Sequence, residues 1–289
     1  MANMTLRKPD WLQKRIRPSV HQEMQSLLDG SNLNTICHEA MCPNITECYQ
    51  KKVATFMIMG TICTRFCTFC NVHKGKPNPL DEKEPENIAK AVKTLELKHV
   101  VITSPTRDDL IDGGALHFVN TVAAIKKRNK ETKVELLIPD MQENADALKL
   151  LAHSNADIIG HNLETVPSLY HVRKGANYRR SLRVLQIIKE FNKNVATKSA
   201  IMLGLGEKES EVKELMQDLL DVGCSYLSIG QYLAPSQNHE KVAEYVEPSR
   251  FSFYHDYGIS LGFAHIQSSP YTRSSYMAHQ FLEVKNEAL

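Results

Sequence analysis

Three cysteines fall within eight residues, Cys63-Thr64-Arg65-Phe66-Cys67-Thr68-Phe69-Cys70. At C-x3-C-x2-C spacing, three thiolates on a short loop can hold three irons of a four-iron, four-sulfur cube and leave the fourth iron without a protein ligand. An iron with an open position is a place for chemistry. Two other readings use the same thiols. A zinc site wants four N/S ligands, and this loop offers three with His73 three positions after the last. A disulfide framework would leave one of the three thiols unpaired. A second triad lies upstream, Cys37-x4-Cys42-x5-Cys48, in a segment that Pro43 and Asn44 mark as loop-like.

Such a loop needs rigid elements to present it. The apolar run 53–59 ends just before it and reads as a buried strand. Further Val/Ile/Leu-rich runs at 99–103, 133–138, 158–162, 195–203 and 226–231 read as strands buried on both faces. Helical patterns separate them: one that Pro85 opens and that runs to Leu97, then 115–129, 142–152, 178–192 and 210–222. Six strand-helix repeats predict parallel strands with right-handed crossovers, an α/β partial (β/α)6 TIM-like barrel. Residues 1–52 and 241–289 are then extensions around a barrel of 53–240. The first extension carries a weak helical pattern at 21–28. The second carries a helix at 250–261, a short strand at 263–267, a loop from Pro270 and a terminal helix from Met277. Working residues in such folds sit at the C-terminal ends of the strands. The thiol loop obeys that rule, and so do Ser104, Arg107 and Asp108; Asp140; Asn162 and Glu164; Lys198 and Ser199; and Gln231.

Composition bounds the compartment and the partners. A chain of 289 residues that is 42% hydrophobic can bury one large core, and a net charge of +2 makes no case for nucleic acid or a membrane surface. No apolar run approaches the length of a membrane span. Residues 1–12 carry no secretory h-region, so the expected location is cytoplasmic. Six of the seven cysteines lie between Cys37 and Cys70, and in a reducing compartment such clustering means metal or redox chemistry, not stapling. Cys224 stands apart and reads as a small buried apolar residue. Gly113-Gly114 follows Asp112 and precedes a helix, which makes it a capping turn. Arg173, Lys174, Arg179 and Arg180 form a basic patch that reads as a solvated helix face or as a surface for an acidic carrier domain.

The thiol loop resembles that of radical S-adenosylmethionine enzymes. Joined to the upstream triad and to Arg273-Ser274-Ser275-Tyr276, it resembles the lipoyl synthase family, along with Arg7-Lys8-Pro9, Ala54-Thr55-Phe56-Met57, Arg107-Asp108-Asp109-Leu110, His161-Asn162-Leu163-Glu164 and Ile229-Gly230-Gln231-Tyr232. The resemblance covers essentially the whole chain. It departs in detail: Phe66, Thr68 and Asn71 stand where the family often has other residues. It implies two [4Fe-4S] clusters and S-adenosyl-L-methionine as cofactors. Cys63, Cys67 and Cys70 would hold the cluster that binds and reduces S-adenosylmethionine, and Cys37, Cys42 and Cys48 an auxiliary cluster. The auxiliary cluster takes its fourth ligand from Ser275, or from Ser274, and the metal ligand Ser275 and its neighbour Arg273 count as catalytic. Asn162, Glu164, Lys198 and Gln231 are the expected cofactor contacts, each with a structural alternative.

The implied reaction inserts sulfur at C6 and C8 of an octanoyl chain amide-linked to a lysine of a lipoyl carrier domain, each round consuming one S-adenosylmethionine. The auxiliary cluster is the implied sulfur donor. Implied partners are octanoylated carriers, such as the glycine cleavage H protein or 2-oxoacid dehydrogenase E2 subunits, and a low-potential electron donor such as flavodoxin or ferredoxin. Biotin synthase-like and methylthio-transferring radical enzymes place their second cluster differently, and a plain electron carrier would not need a barrel.

Overall fold

A computed structural model describes residues 7–13, 33–40, 42–51 and 53–281. Strand β1 (Asn34–Thr35) leads into the short helices α1 (Ile36–Glu39) and α2 (Ile45–Gln50), then β2 (Ala54–Met57). Two short strands, β3 (Ile62–Cys63) and β4 (His73–Lys74), pair in parallel and bracket the thiol loop. Alternation follows: α3 (Glu84–Thr94), β5 (His99–Thr103), α4 (Ala115–Arg128), β6 (Lys133–Leu137), α5 (Ala145–Ala152) and β7 (Ile158–Gly160). It continues with α6 (Tyr178–Phe191), β8 (Ala196–Leu203), α7 (Glu209–Asp221), β9 (Tyr226–Gln231), α8 (Pro248–Leu261) and β10 (His265–Ser268). The main sheet runs β1-β2-β5-β6-β7-β8-β9-β10, antiparallel only at the β1–β2 edge. Its two end strands do not pair with each other, so the barrel is partial.

The six expected strands are all present. The pair α8–β10 adds a seventh parallel strand beside β9, so the sheet continues past residue 240. The upstream triad corrects the sequence reading: Cys37 and Cys48 lie on short helices, with Pro43 and Asn44 forming the turn between them. Helices of four and six residues are too short for a periodic pattern to show. The expected helix at 21–28 and most of the one after Met277 lie outside the described residues; 276–279 form turns.

Strands β2, β5, β7 and β9 are buried at every position, as a sheet covered on both faces requires. Outward-facing Phe56, Val100, Ile102, Val134 and Leu136 pack on the apolar stripes of α3, α4 and α5, and Leu203, Leu227 and Ile229 pack on those of α7 and α8. Gly114 opens α4 at φ +91, where the Asp112 carboxylate accepts from the Gly114 and Leu116 amides. A Cβ there would lie 2.2 Å from Met59 Sδ, so the glycine pair serves the turn and its packing.

The inner face of the sheet is more polar. At its floor Phe281 packs on Ile158, Ala196 and Tyr226, the first residues of three strands. The Lys198 ammonium stands 3.8 Å from the Phe281 ring centroid and 2.9 Å from Glu135, whose other oxygen lies 3.4 Å from His99 Nε2. Both members of the pair are 1% exposed. Burial acts to raise the Glu135 pKa, but the Lys198 charge and His99 outweigh it and hold the carboxyl below its usual range. Lys198 thus pairs with Glu135 near the start of β8, the structural alternative to cofactor contact.

The end strands of the sheet are joined across the gap by side chains. Asn44 Nδ2 donates to Tyr271 O at 2.6 Å, Tyr276 donates to Glu47 Oε1 at 2.9 Å, and Lys51 Nζ meets Met277 Sδ at 3.5 Å.

Removing one member of a buried pair leaves a charge unpaired, at about 3–5 kcal/mol, whereas replacing both with apolar groups is often neutral. Lys198→Met is expected to lower the unfolding free energy measured by urea titration by that order, and Glu135→Leu/Lys198→Met to recover most of it; equal loss in both variants would contradict the pairing.

Candidate active site

The chain leaves β2 through Met59 (φ +65) and Gly60 (φ +84), a left-handed turn pinned from both sides. The Met59 amide donates to Glu84 Oε2 at 2.8 Å, an oxygen that also meets His117 Nε2 at 2.7 Å. Arg107 Nη1 donates to the Met59 carbonyl at 2.9 Å, and Asp109 holds the same guanidinium. Arg107, Asp108 and Asp109 thus border the site by fixing its entrance.

Arg65 is the anchor inside the thiol loop. It makes two bidentate pairs, with Asp108 at 2.7 and 2.9 Å and with Asp140 at 2.7 and 2.6 Å, while only 7% exposed. Burial works to raise the Asp140 pKa, yet the Arg65 hydrogen bonds and charge hold that carboxyl well below the carboxylate range. Arg180 Nε also donates to Asp140, at 2.8 Å, and so does the Gln142 amide at 3.1 Å. Thr68 straps the loop's other half: its amide donates to Val172 O at 2.8 Å, its hydroxyl to Glu240 Oε2 at 2.8 Å, and its carbonyl accepts from the Glu240 amide at 3.0 Å. Asn71, just past the last thiol, donates to Glu39 O at 2.7 Å and ties this loop to the helix that carries Cys37.

All seven cysteines are free thiols. Among the described residues no group of three or more His, Cys, Asp or Glu is gathered around a single metal ion. Burial raises the Cys67 and Cys37 thiols and lifts Cys70 to about 12, so metal loading must displace protons. Soft thiolates on a pre-anchored, partly exposed loop are a donor set that suits an iron-sulfur cluster.

The second triad shares one cavity with a segment from the far end of the chain. Cys37, Cys42, Cys48, Asn44, Thr55, Arg273, Ser275 and Tyr276 line it. Of the two adjacent serines, Ser274 donates to Asn162 Oδ1 at 2.9 Å, and Ser275 lines the cavity with the thiols. Arg273 is turned toward backbone, Nη1 donating to Thr272 O at 2.7 Å, with its charge beside Cys42. The segment comes this close because position 230 is glycine: a Cβ there would lie 2.0 Å from Thr272 O.

Among the expected cofactor contacts, Asn162 and Glu164 stand together, Asn162 Nδ2 donating to Glu164 Oε1 at 3.0 Å. Glu164 sits at φ +69 between Ala200 and Met202 of β8, and burial raises its pKa. At Gln231, Nε2 donates to the Tyr232 and Glu244 carbonyls and Oε1 accepts from the Val246 amide, so its amide group fixes backbone at the strand end, the structural alternative to cofactor contact. Lys198 is engaged at the floor, as described above. Ser199 Oγ accepts from the Leu163 amide at 3.2 Å and shapes the same loop from outside. The basic patch divides: Arg173 turns inward beside Cys67 and Glu164, and Lys174 and Arg179 stay exposed. Sequence reasoning passed over Arg65 and misplaced Arg173. The signal for Arg65 was an arginine between two thiols with Asp108 and Asp140 at neighbouring strand ends.

Residues 57–219 match the Radical SAM superfamily. A lipoyl synthase of Geobacter sp. (strain M21) is 54% identical over 281 residues, covering 97% of this chain and 97% of that protein. The lipoyl synthase of Citrifermentans bemidjiense is 55% identical over 280 residues, 97% of this chain and 96% of that one. Among solved structures, the FeFe-hydrogenase maturase HydG from Carboxydothermus hydrogenoformans superposes with a TM-score of 0.60 at 14% identity, covering 92% of this chain and 69% of that chain. Methylornithine synthase superposes at 0.57 and 15%, covering 70% and 61%. At that identity the two structures show the shared fold alone. Among the described residues no helix is long and apolar enough to cross a membrane. With near full-length identity above half to curated relatives and both thiol triads in place, the chain belongs to the lipoyl synthase family of the radical SAM superfamily.

Proposed function

We propose that this protein is a lipoyl synthase that inserts two sulfur atoms, at C6 and C8 of an octanoyl chain held on a carrier-protein lysine. The observation that carries the reading is Ser275 sharing a cavity with Cys37, Cys42 and Cys48, while Ser274 is held by Asn162. On this reading Cys63, Cys67 and Cys70 hold one [4Fe-4S] cluster, and the other three thiols with Ser275 hold a second. Octanoylated H protein or E2 domains are the proposed substrates, flavodoxin or ferredoxin the proposed reductant, and the cytoplasm the proposed location.

When bound, the clusters and S-adenosylmethionine would supply a hydrogen-abstracting radical and the sulfur that takes the place of the hydrogen removed. The chain's own part is placement. Arg65, Asp108 and Asp140 hold the Cys63–Cys70 loop at the strand ends, and Thr68 and Asn71 keep it from shifting against the elements that carry Glu240 and Cys37. Asn162 connects both halves: its amide group touches Glu164 on one side and Ser274 on the other. The Ser275 oxygen is a harder donor than a thiolate and a poorer match to iron in a sulfide-rich site, so it is the ligand easiest to release. Proximity does the rest, because a reactive carbon centre must meet sulfur before any other partner.

Anaerobically reconstituted protein, given S-adenosylmethionine, a reductant and an octanoyl-lysine peptide, is expected to yield about two 5′-deoxyadenosines per dithiolane; cofactor cleavage without thiolated product would overturn the assignment. Ser275→Cys is expected to keep its full iron and lose product by roughly tenfold or more, read by iron assay and mass spectrometry. Gly230→Ala, which pushes the Thr272 carbonyl away, is expected to retain about half of the parent's iron, the share of one cube in two.

A further inference from the structure

We infer that the outer side of the thiol loop and the first turns of α6 form the docking face for the electron donor, a small acidic protein that carries single electrons; the assignment deepens the reading above and rests on Cys63, Cys67 and Cys70 holding a reducible cluster. A groove of about 600 Å³ runs along α6, and Asn177, Arg179, Arg180, Arg183 and Glu143 line its upper part. Its charge is lopsided. Glu143 is the acid in the lining, and Arg183 faces it at 3.7 Å while reaching Glu190 at 2.8 Å. Arg180 holds Asp140. Arg179, and Lys174 beside the Gly175 carbonyl that Arg180 grips, are exposed and form no ion pair among the described residues. Two long cations kept in water with no acid to meet present a positive face to whatever approaches.

That face lies against the thiol loop. Arg180 Nη2 donates to Gly175 O at 2.6 Å, and its Nε to Asp140, the carboxylate that Arg65 grips from inside the loop. Gly175 in turn packs on the Arg65 side chain, where a Cβ would lie 3.4 Å from its Cδ, and the Thr68 amide donates to Val172 O at 2.8 Å. Residues 65–68 thus rest on 172–180, and Phe66, between Cys63 and Cys67, is 56% exposed beside them. An open aromatic framed by arginine and lysine has the make-up of an interface, with its apolar centre and charged rim. Past the loop's other end Lys74, which pairs with Cys63 across β3 and β4, and Lys76 are exposed as well, whereas Asp108 is taken up by Arg65.

The kind of partner follows from what each has to deliver. A substrate arm must enter between the two thiol triads, whereas an electron needs only closeness to Cys63, Cys67 and Cys70, and the outer wall at α6 gives that without occupying the entrance. A positive wall draws an acidic carrier, and because electron-transfer encounters are small and brief, a modest patch suffices. The step moves one electron: the carrier is oxidised, the cluster on the loop is reduced, and no bond forms or breaks.

The test uses anaerobically reconstituted full-length protein. Binding of dye-labelled, oxidised flavodoxin is read by anisotropy, and cluster reduction by reduced flavodoxin or by dithionite is read in a stopped-flow mixer. Lys174→Glu/Arg179→Glu is compared with Lys90→Glu/Lys93→Glu, an equal change of charge at exposed positions of α3, with iron content measured on each. At low salt the first pair is expected to weaken flavodoxin binding, and to slow reduction by flavodoxin, by roughly tenfold or more, because like charges are then set against the carrier's acids. Its reduction by dithionite, and every readout of the second pair, is expected to stay within about threefold of the parent. Added salt is expected to shrink the difference between the pairs. Phe66→Ser is expected to weaken binding about threefold to tenfold at either salt. Equal weakening by both pairs, or by neither, would overturn the inference, and so would a loss of affinity confined to an octanoylated carrier protein, which would give the face to the substrate's carrier. A parent that takes up no iron would overturn the cluster reading together with it, whereas a parent that forms dithiolane with dithionite but neither binds flavodoxin nor is reduced by it would overturn the docking face alone.

Discussion

A loop of eight residues with three thiols has no core of its own, and everything this protein can do at that loop depends on the Arg65 guanidinium locked between Asp108 and Asp140. The geometry is bidentate on both sides, and Asp140 is wholly buried, which is the situation in which an ion pair is worth far more than at a surface. Each carboxylate belongs to a different βα connection, one after β5 and one after β6. The arginine therefore converts the spacing of two strands in a rigid sheet into the position of the thiols. Arg180 reaches the same Asp140 from α6, so the loop is referenced to a third element as well. Without Asp140 the buried Arg65 charge would lose its most buried partner, and the Thr68 and Asn71 contacts would be left to hold the loop from its other half.

The other triad is built on a different principle. Cys37 and Cys48 sit on short helices near one end strand of the sheet, and Ser275 arrives from the chain beyond the opposite end strand. Nothing local brings them together. What does is the fit of the 270–276 segment over Gly230, and the grip of Ser274 on Asn162 and Tyr276 on Glu47. Asn162 then sits between the two halves of the site, with Glu164 on its other side. A single amide side chain with one donor and one acceptor face is well suited to hold two segments in a fixed relation.

Much of this was legible in the sequence because it follows from period and punctuation. Runs such as His99-Val100-Val101-Ile102-Thr103 have no exposed face and can only be buried strands, and Pro85 and the turn at Asp112-Gly113-Gly114 mark helix starts by their backbone chemistry. Thiol spacing marked both triads. What was not legible depends on which way a polar side chain points. Lys198 and Gln231 both lie on strands, but pairing with Glu135 across the inner face claims one, and the backbone around Glu244 and Val246 claims the other. Arg173 read as one of a surface cluster because sequence neighbours share a label, whereas the turn after β7 folds it away from Lys174 and Arg179. Periodicity could not show helices of four and six residues around Pro43, where a single turn leaves too few positions to repeat.

Between β1 and β10 the sheet lacks a ladder, and side-chain contacts span the gap: Asn44 to Tyr271, Glu47 to Tyr276 and Lys51 to Met277. Every other line along which this barrel could part is stitched by backbone amides and carbonyls. Here the wall can be unbuttoned by breaking a few solvent-replaceable contacts, at about 1 kcal/mol each. Three thiols and a serine from both flanks of the gap line one cavity, so a group bound among them would act as a rivet through the wall, and its state and the tightness of the wall would rise and fall together.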